Sequence, residues 1–239
     1  GRPRALSFKK KRPQPRNMCR PRNKFGIRGS QMNVLRKPFK YTYFNATLVL
    51  FAINAVFFMA LRIFPHSVLY LSMSVMGMKM HFYWQPLTYM FVHSGWSHFI
   101  FNMLALFCFG HEVERAIGSK EFLLFYLFCG ILDGLISVAL YSVLGYNILL
   151  MGASGAIYAL LLAFAVIFPR SIISIWGIFP VPVPVLVAVY AVIEIFSQIF
   201  GGGNVAHLTH LAGFALAWLY LRARMGIKPI KIWKDAYRR

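Results

Sequence analysis

Acidic residues are scarce in this chain of 239 residues, which has six Asp and Glu against 26 Lys and Arg and a formal net charge of +20. Only 13% of its residues are charged, while 59% are hydrophobic and 17% are aromatic. A soluble domain of this length needs more charge on its surface. The composition therefore excludes an ordinary soluble fold and predicts a chain surrounded by a lipid bilayer.

Cysteine is also rare. The three cysteines, at positions 19, 108 and 129, show neither the pairing of a disulfide framework nor the spacing of a metal site. Cys108 and Cys129 fall in apolar segments, where a single cysteine is usually a packing residue. The cysteines therefore predict neither a disulfide nor a metal site, and no metal or organic cofactor is expected.

Long apolar runs account for most of the chain. A spanning helix needs about 20 mainly apolar residues. Six segments meet this requirement: 44–63, 86–109, 122–144, 149–168, 184–200 and 205–223. The sequence predicts an all-α membrane protein, with a six-helix membrane domain at residues 41–223.

The basic residues are unevenly placed. Fourteen of the 26 Lys and Arg lie in residues 1–40, and seven lie from Arg222 to Arg239. The positive-inside rule puts both ends in the cytoplasm, as an even number of spans requires. We expect a multi-pass protein of the plasma (inner) membrane with a basic cytoplasmic tail at residues 224–239. Since the charge lies where membrane proteins carry it, nucleic-acid binding is not expected.

Residues 1–31 contain four prolines and no acidic residue, so they predict no packed structure. They fit a basic arm, or an Arg-rich transit peptide, although the prolines interrupt an amphipathic helix. A third interpretation, which we favour, is that they are not native sequence, because residues 32–37 resemble an ordinary start at Met32.

The loop between the first two spans is apolar but broken by Pro65, His66, Gly77 and Lys79. It is too short to span, and we expect residues 65–83 to lie in the outer interface. Prolines 180, 182 and 184 fit the entrance of the fifth span.

Polar residues inside spans carry the functional signal, because each costs free energy in hydrocarbon unless it meets a partner. His98 and Asn102 are four residues apart and share one helical face, as do Ser154 and Tyr158. On the last span, small residues follow His210 on one stripe, at Gly213 and Ala217. Small residues let helices approach closely.

Gly152 and Gly155 thin the fourth span in the same way. If the two thin faces meet, His210 comes within reach of the Ser154 hydroxyl and can act as its base. No acidic residue is close to His210 in sequence, so the pattern predicts a Ser-His dyad in which Tyr158 orients the ring by stacking. His98, Asn102 and the Ser154 amide are candidates to bind the oxyanion.

Other protease chemistries fit the sequence poorly. A zinc enzyme would need His-Glu-x-x-His, and residues 111–115 do not complete it. An aspartyl enzyme would need two intramembrane aspartates, and only Asp133 qualifies. A Ser-Lys enzyme would need a lysine inside a span. His93, His111 and His207 are expected to be structural, and Asp133 and Glu194 to be polar residues with local partners.

Four ordered motifs resemble the rhomboid family of intramembrane serine proteases. They are His98 with Asn102, the Gly-His-Glu-Val-Glu-Arg sequence at 110–115, the Gly-Ala-Ser-Gly sequence at 152–155 with Tyr158, and the Ala-His-Leu-Thr-His-Leu-Ala-Gly sequence at 206–213. The resemblance covers residues 41–223. It implies a six-helix rhomboid-like bundle with an interfacial first outer loop and a fifth helix that gates substrate entry.

The resemblance also implies roles for single residues. Ser154 matches the family's nucleophile, His210 its base, and His98 and Asn102 its oxyanion-hole positions. Gly152, Gly155, Tyr158 and Gly213 would support this site.

Outside the site, Glu114 matches a carboxylate that ties down the loop after the second helix. Trp84 matches a tryptophan of the first outer loop, after which the family often has arginine where this chain has Gln85.

The implied function is cleavage of the transmembrane segments of single-span membrane proteins. Each motif also has a structural interpretation, such as helix packing for the glycines, but their conjunction favours the enzyme. The alternative is a catalytically silent rhomboid-like scaffold or transporter that binds membrane partners. Substrate identity and oligomeric state do not follow from the sequence.

Overall fold

The computed structural model describes residues 38–175, 178–200 and 206–238. The expectations about residues 1–31, Met32 and Cys19 lie outside these residues. Most of the described chain is helical, in eleven α-helices, α1 to α11, with one two-stranded sheet.

Two helices of the described chain are long and apolar enough to cross a membrane: α1 (Ala46–Ile63) and α7 (Ser119–Leu144). Two more apolar helices, α8 (Ser154–Ile167) and α9 (Val183–Phe200), precede α10 (Ala206–Ala223). Large apolar side chains stay exposed along α1 and α9, among them Val56, Ile63, Val192 and Phe196. An apolar surface of this extent is typical of contact with lipid.

The second predicted span begins later than residue 86. A short helix α4 (Gln85–Thr88) leads into a 3-10 turn (Tyr89–Phe91), and the chain is then extended at Gly95, with φ −167° and ψ 177°. Only at Trp96 does α5 (Trp96–Ala105) begin. It continues through a π-helical turn (Leu106–Gly110) into α6 (His111–Ile117).

The fourth predicted span also begins later, at Ser154 instead of residue 149. Leu150 pairs with Met73 through backbone hydrogen bonds of 2.9 and 2.7 Å, which hold this part of the chain extended. Gly152 then has φ +117°, a conformation that a residue with a side chain rarely adopts and that cannot continue a helix.

Three further elements were not predicted as such. The loop expected at the interface contains two short helices, α2 (Ser67–Leu71) and α3 (Val75–Lys79). An antiparallel hairpin pairs β1 (Ile172–Ile175) with β2 (Phe179–Pro182), so Pro180 and Pro182 lie in a strand, and only Pro184 lies in the first turn of α9.

The basic tail contains α11 (Pro229–Tyr237). Its Trp233 indole donates a 2.9 Å hydrogen bond to the carbonyl of Ala165, and its Tyr237 hydroxyl donates one of 2.6 Å to that of Pro169. Both bonds fasten α11 to the end of α8 and the residues that follow it. The tail is therefore part of the folded structure.

Helix α8 lies at the centre of the fold and is the most continuously buried helix of the described chain, with α7, α9 and α10 packed around it. Glycine allows two of these contacts. A Cβ on Gly155 would overlap a carboxylate oxygen of Asp133 on α7, and a Cβ on Gly213 of α10 would overlap the carbonyl oxygen of Gly155. The thin faces of the fourth and sixth predicted spans therefore do meet.

Glu114 of α6 joins the start of α1 to the start of α7. Its fully buried carboxylate accepts hydrogen bonds from the Ala46 amide at 2.6 Å, from the Thr47 amide at 2.9 Å and hydroxyl at 2.7 Å, and from the Ser119 hydroxyl. Burial raises the pKa of Glu114, but the hydrogen bonds from Ser119 and Thr47 outweigh this effect and hold it below its ordinary value. Glu114 thus caps α1, whose N-cap residue Asn45 supplies no side-chain hydrogen bond.

Candidate active site

Ser154 is the first residue of α8 and is partly exposed. The chain reaches it through Gly152, where a Cβ would lie 2.7 Å from the Cε1 and Nε2 atoms of His98. The amides of Ser154 and Gly155 belong to the first helical turn and so have no acceptor within the helix. This turn therefore offers a hydroxyl beside backbone N–H groups that the helix itself leaves without an acceptor, where the helix dipole favours negative charge.

His210 lies beside the first turns of α8. Its ring stacks on that of Tyr158, one turn after Ser154, with the ring centroids 4.1 Å apart and the planes within 4° of parallel. The contact between Gly213 and Gly155 brings the two helix backbones together one turn further along α10. Within the described residues, no hydrogen bond joins the Ser154 hydroxyl to His210.

His98 faces the same region from α5. Its ring lies beside Gly152, and its Nδ1 is 3.1 Å from the Ser94 hydroxyl. Asn102 is buried one turn later, and its amide nitrogen donates a 2.7 Å hydrogen bond to the His98 carbonyl. The Asn102 side chain is thus tied back to its own helix and keeps one N–H free of that bond.

No acidic residue is close to His210 in sequence, but the fold brings one beside it. Glu194 of α9, 7% exposed, places one carboxylate oxygen 2.9 Å from Nδ1 of His210 and the other 2.5 Å from Nδ1 of His207. The Tyr158 hydroxyl donates to the first oxygen at 2.5 Å. These four residues are called the Glu194 cluster below. The signal in the sequence was the carboxylate inside an apolar segment, which is costly without partners.

The ligand atoms of Glu194, His207 and His210 lie within 4.8 Å of one another, close enough to hold a metal ion. Hydrogen bonds already account for this proximity, because each Nδ1 lies at hydrogen-bond distance from a carboxylate oxygen. We therefore assign no metal ligands.

Two other buried polar residues have side-chain atoms without a hydrogen-bond partner among the described residues. Asp133 is buried, and one of its carboxylate oxygens has no hydrogen-bond partner among the described residues, although a local partner was expected. His93 is also buried without a hydrogen bond in the described part of the chain, and its ring packs edge-on against those of His98 and Phe99.

Gln85 stands where the family resemblance leads one to expect arginine. It is fully buried, accepts a 3.3 Å hydrogen bond from the Ser74 amide and donates one of 3.2 Å to the Tyr70 carbonyl. The neighbouring Trp84 indole donates to the same carbonyl at 2.9 Å. This glutamine thus ties together the loop between α1 and α5 without a charge.

Residues 80–225 match the Rhomboid domain family, and this range contains Ser154, His210 and the rest of the candidate site. The match covers more than half of the chain. The chain belongs to the rhomboid family.

Several curated rhomboid proteins are similar to it. The Bacillus subtilis protein YdcA is 30% identical over 129 residues, which are 52% of this chain and 63% of that protein. Rhomboid-like protein 11, chloroplastic, of Arabidopsis thaliana is 32% identical over 151 residues, 57% of this chain and 52% of that one. Rhomboid protease GluP of B. subtilis is 43% identical over 79 residues, 33% of this chain and 15% of that one.

The matched regions thus span 63% and 52% of the first two of these relatives. Rhomboid proteins are membrane proteins, which agrees with the apolar helices and with the exposed apolar side chains of α1 and α9.

Proposed function

We propose that this rhomboid protein is an intramembrane serine endopeptidase that cleaves the transmembrane segments of single-span membrane proteins. Six segments cross the bilayer in this proposal: α1, α5 with its π-helical continuation, α7, α8, α9 and α10. Both termini lie on the cytoplasmic side, where the basic residues of the chain are concentrated. The loop between α1 and α5 then lies at the outer surface.

Ser154 is the nucleophile and His210 the base. The Ser154 oxygen attacks the carbonyl carbon of the scissile peptide bond while its proton passes to His210. His98, Asn102 and the Ser154 amide stabilise the oxyanion of the tetrahedral intermediate, and one such donor is worth about 10²- to 10³-fold in kcat. The intermediate then breaks the C–N bond, and the leaving amine takes the proton from His210.

Water completes the reaction. It attacks the acyl-enzyme with His210 again accepting a proton, and the ester bond to Ser154 breaks as the hydroxyl is restored. Water reaches Ser154 from the outer side. The substrate segment enters between α5 and α9, each of which packs against α8, and unwinds there.

The observation that carries the proposal is the arrangement around Tyr158. Its ring stacks on His210 one helical turn from Ser154, on two helices held together by the contact between Gly213 and Gly155. A histidine that served only to pack the core would not need a tyrosine ring stacked parallel to it one turn from a serine at the start of a helix.

The test is reaction of the purified full chain with a fluorophosphonate probe in detergent. We expect the parent protein to be labelled and Ser154→Ala and His210→Ala to lose labelling while remaining folded. Ser171→Ala, which changes a serine far from the site in sequence, is the matched control and should label like the parent.

Labelling that persists in Ser154→Ala would refute the assignment of the nucleophile. A folded parent that does not react would refute the enzyme and favour the silent scaffold that binds membrane partners.

A further inference from the structure

The Ser-His dyad gives no role to the carboxylate of Glu194. It lies on α9, 16 residues before His210 and on a different helix, and it is nearly buried. A charge in such a place is tolerated only when hydrogen bonds satisfy it. Three donors do so here: the Tyr158 hydroxyl and the Nδ1 atoms of His207 and His210.

The atom of His210 that Glu194 contacts decides what the ring can do. A carboxylate only accepts hydrogen bonds, so the Nδ1 of His210, 2.9 Å from Oε1, carries a proton and donates it. In the neutral ring the lone pair then resides on Nε2. Nε2 is thereby the nitrogen that can take a proton from a hydroxyl.

The same contact acts on the charged ring. When His210 has taken the serine proton it is an imidazolium, and Glu194 offers it a negative charge at hydrogen-bond distance. A carboxylate that fixes the tautomer and stabilises the imidazolium is the third member of a Ser-His-acid triad.

We propose that Glu194 is a positioning residue that makes the site a triad of Ser154, His210 and Glu194 in place of a dyad. This inference rests on the proposed function, because it assigns Glu194 a task only if His210 is the base. Glu194 touches neither substrate nor the reacting atoms; it acts through His210.

The other two members of the cluster hold the carboxylate in place. Tyr158 donates to the oxygen that also faces His210, and His207 donates to the other oxygen. Since His207 bonds the far oxygen, its loss leaves the contact to His210 intact. His207 and Glu194 are therefore distinguishable by substitution, although both belong to one network.

The experiment measures the kinetics of fluorophosphonate inactivation at several probe concentrations, which separate the maximal rate kinact from the half-saturating concentration KI. Loss of the carboxylate in a Ser-His-Asp triad lowers kcat about 10⁴-fold when the tautomer is lost. Here Tyr158 still stacks on the ring, so we expect Glu194→Gln to lower kinact about 10²-fold, with KI changed less than about twofold.

Two variants decide whether the effect belongs to His210 or to folding. Glu194→Asp keeps the charge, and its kinact should be at least about tenfold higher than that of Glu194→Gln. His207→Gln removes one of the donors that hold the carboxylate but not the carboxylate itself, so its loss of kinact should be smaller than that of Glu194→Gln. Glu112→Gln, an exposed carboxylate on α6, should react like the parent. Thermal unfolding of each variant is followed in the same detergent.

Equal kinact for the parent and Glu194→Gln would overturn the triad and leave the dyad standing. Equal losses in Glu194→Gln and His207→Gln would overturn it too, because they would assign the network to structure alone. A parent whose Ser154 does not react would overturn both the proposed function and the triad. A lower kinact in Glu194→Gln that Glu194→Asp restores would support the triad.

Discussion

Replacing Glu114 by glutamine should destabilise the fold more than any exposed substitution near it. The buried carboxylate accepts bonds from the Ala46 and Thr47 amides, one on each oxygen. An amide side chain has only one oxygen, so one of these backbone N–H groups meets an NH2 group and loses its acceptor. An unsatisfied buried donor costs about 1–3 kcal/mol.

Loss of the charge adds to this cost. Hydrogen bonds to a charged group are worth about 1.5–3 kcal/mol against about 0.5–1.5 for neutral ones, so the retained bonds also weaken. A carboxylate at a helix N-terminus contributes a further 0.3–1 kcal/mol or so. The sum predicts that Glu114→Gln lowers the free energy of unfolding by about 3–5 kcal/mol.

The assay is reversible unfolding in mixed micelles, with the free energy of unfolding extrapolated to native conditions. Glu112→Gln is the matched control, two residues away on α6. Its carboxylate is exposed and only 3.7 Å from Arg115, a pair worth about 0–1 kcal/mol. A Glu114→Gln protein as stable as Glu112→Gln would refute the role of Glu114 as the cap of α1.

The same residue gives the fold a pH dependence with a fixed sign. The folded-state pKa of Glu114 is below its ordinary value of 4.5. The ionised carboxylate therefore contributes its full stabilisation of the fold above pH 4.5, and this stabilisation is lost as the pH falls through the folded-state pKa. The stability difference between the parent and Glu114→Gln should therefore be largest near neutral pH and shrink below about pH 4.5. A difference that grows on acidification would contradict the depressed pKa.

Two further substitutions test the helix contacts of the site. Gly213→Ala places a Cβ against the Gly155 carbonyl and should lower the free energy of unfolding by about 1–3 kcal/mol in the same assay. Gly95→Ala is the control: no atom lies within 4 Å of its new Cβ, so it should lower the free energy of unfolding by less than about 1 kcal/mol. Gly152→Ala combines φ +117° with a Cβ 2.7 Å from the His98 ring, so it should slow fluorophosphonate labelling even where the protein stays folded; labelling at the parent rate would show that this turn does not hold the site.

Apolar runs predicted where helices occur but not where two of them begin. The ends of α1, α7, α9 and α10 agree with the predicted segments to within three residues. The starts of α5 and α8 do not, because Gly95 and Gly152 adopt backbone conformations that hydropathy does not register. The hairpin was missed for a similar reason: the prolines of β2 fit a helix entrance equally well.

The candidate site was predictable to the extent that it depends on spacing within one helix. Ser154 with Tyr158, and His98 with Asn102, follow from a period of 3.6 residues. The contact between Gly213 and Gly155 was predictable as a pair of thin faces. Glu194 was not, because its approach to His210 depends on how α9 packs against α10, and no periodicity within either helix contains that information.

The position of Glu194 links catalysis to the movement of α9 that the proposed entry route requires. The Glu194 cluster joins α9 to Tyr158 on α8 and to His207 and His210 on α10, so a substrate that displaces α9 must either carry the carboxylate with it or break these bonds. If the bonds break, His210 loses the partner that fixes its Nδ1 proton, and the base is ready only after α9 has closed again. In the triad proposed here, a carboxylate on α9 thus makes proton transfer from Ser154 depend on closure of α9 around the substrate. In a dyad oriented by Tyr158 alone, α8 and α10 would hold the His210 ring whatever the position of α9.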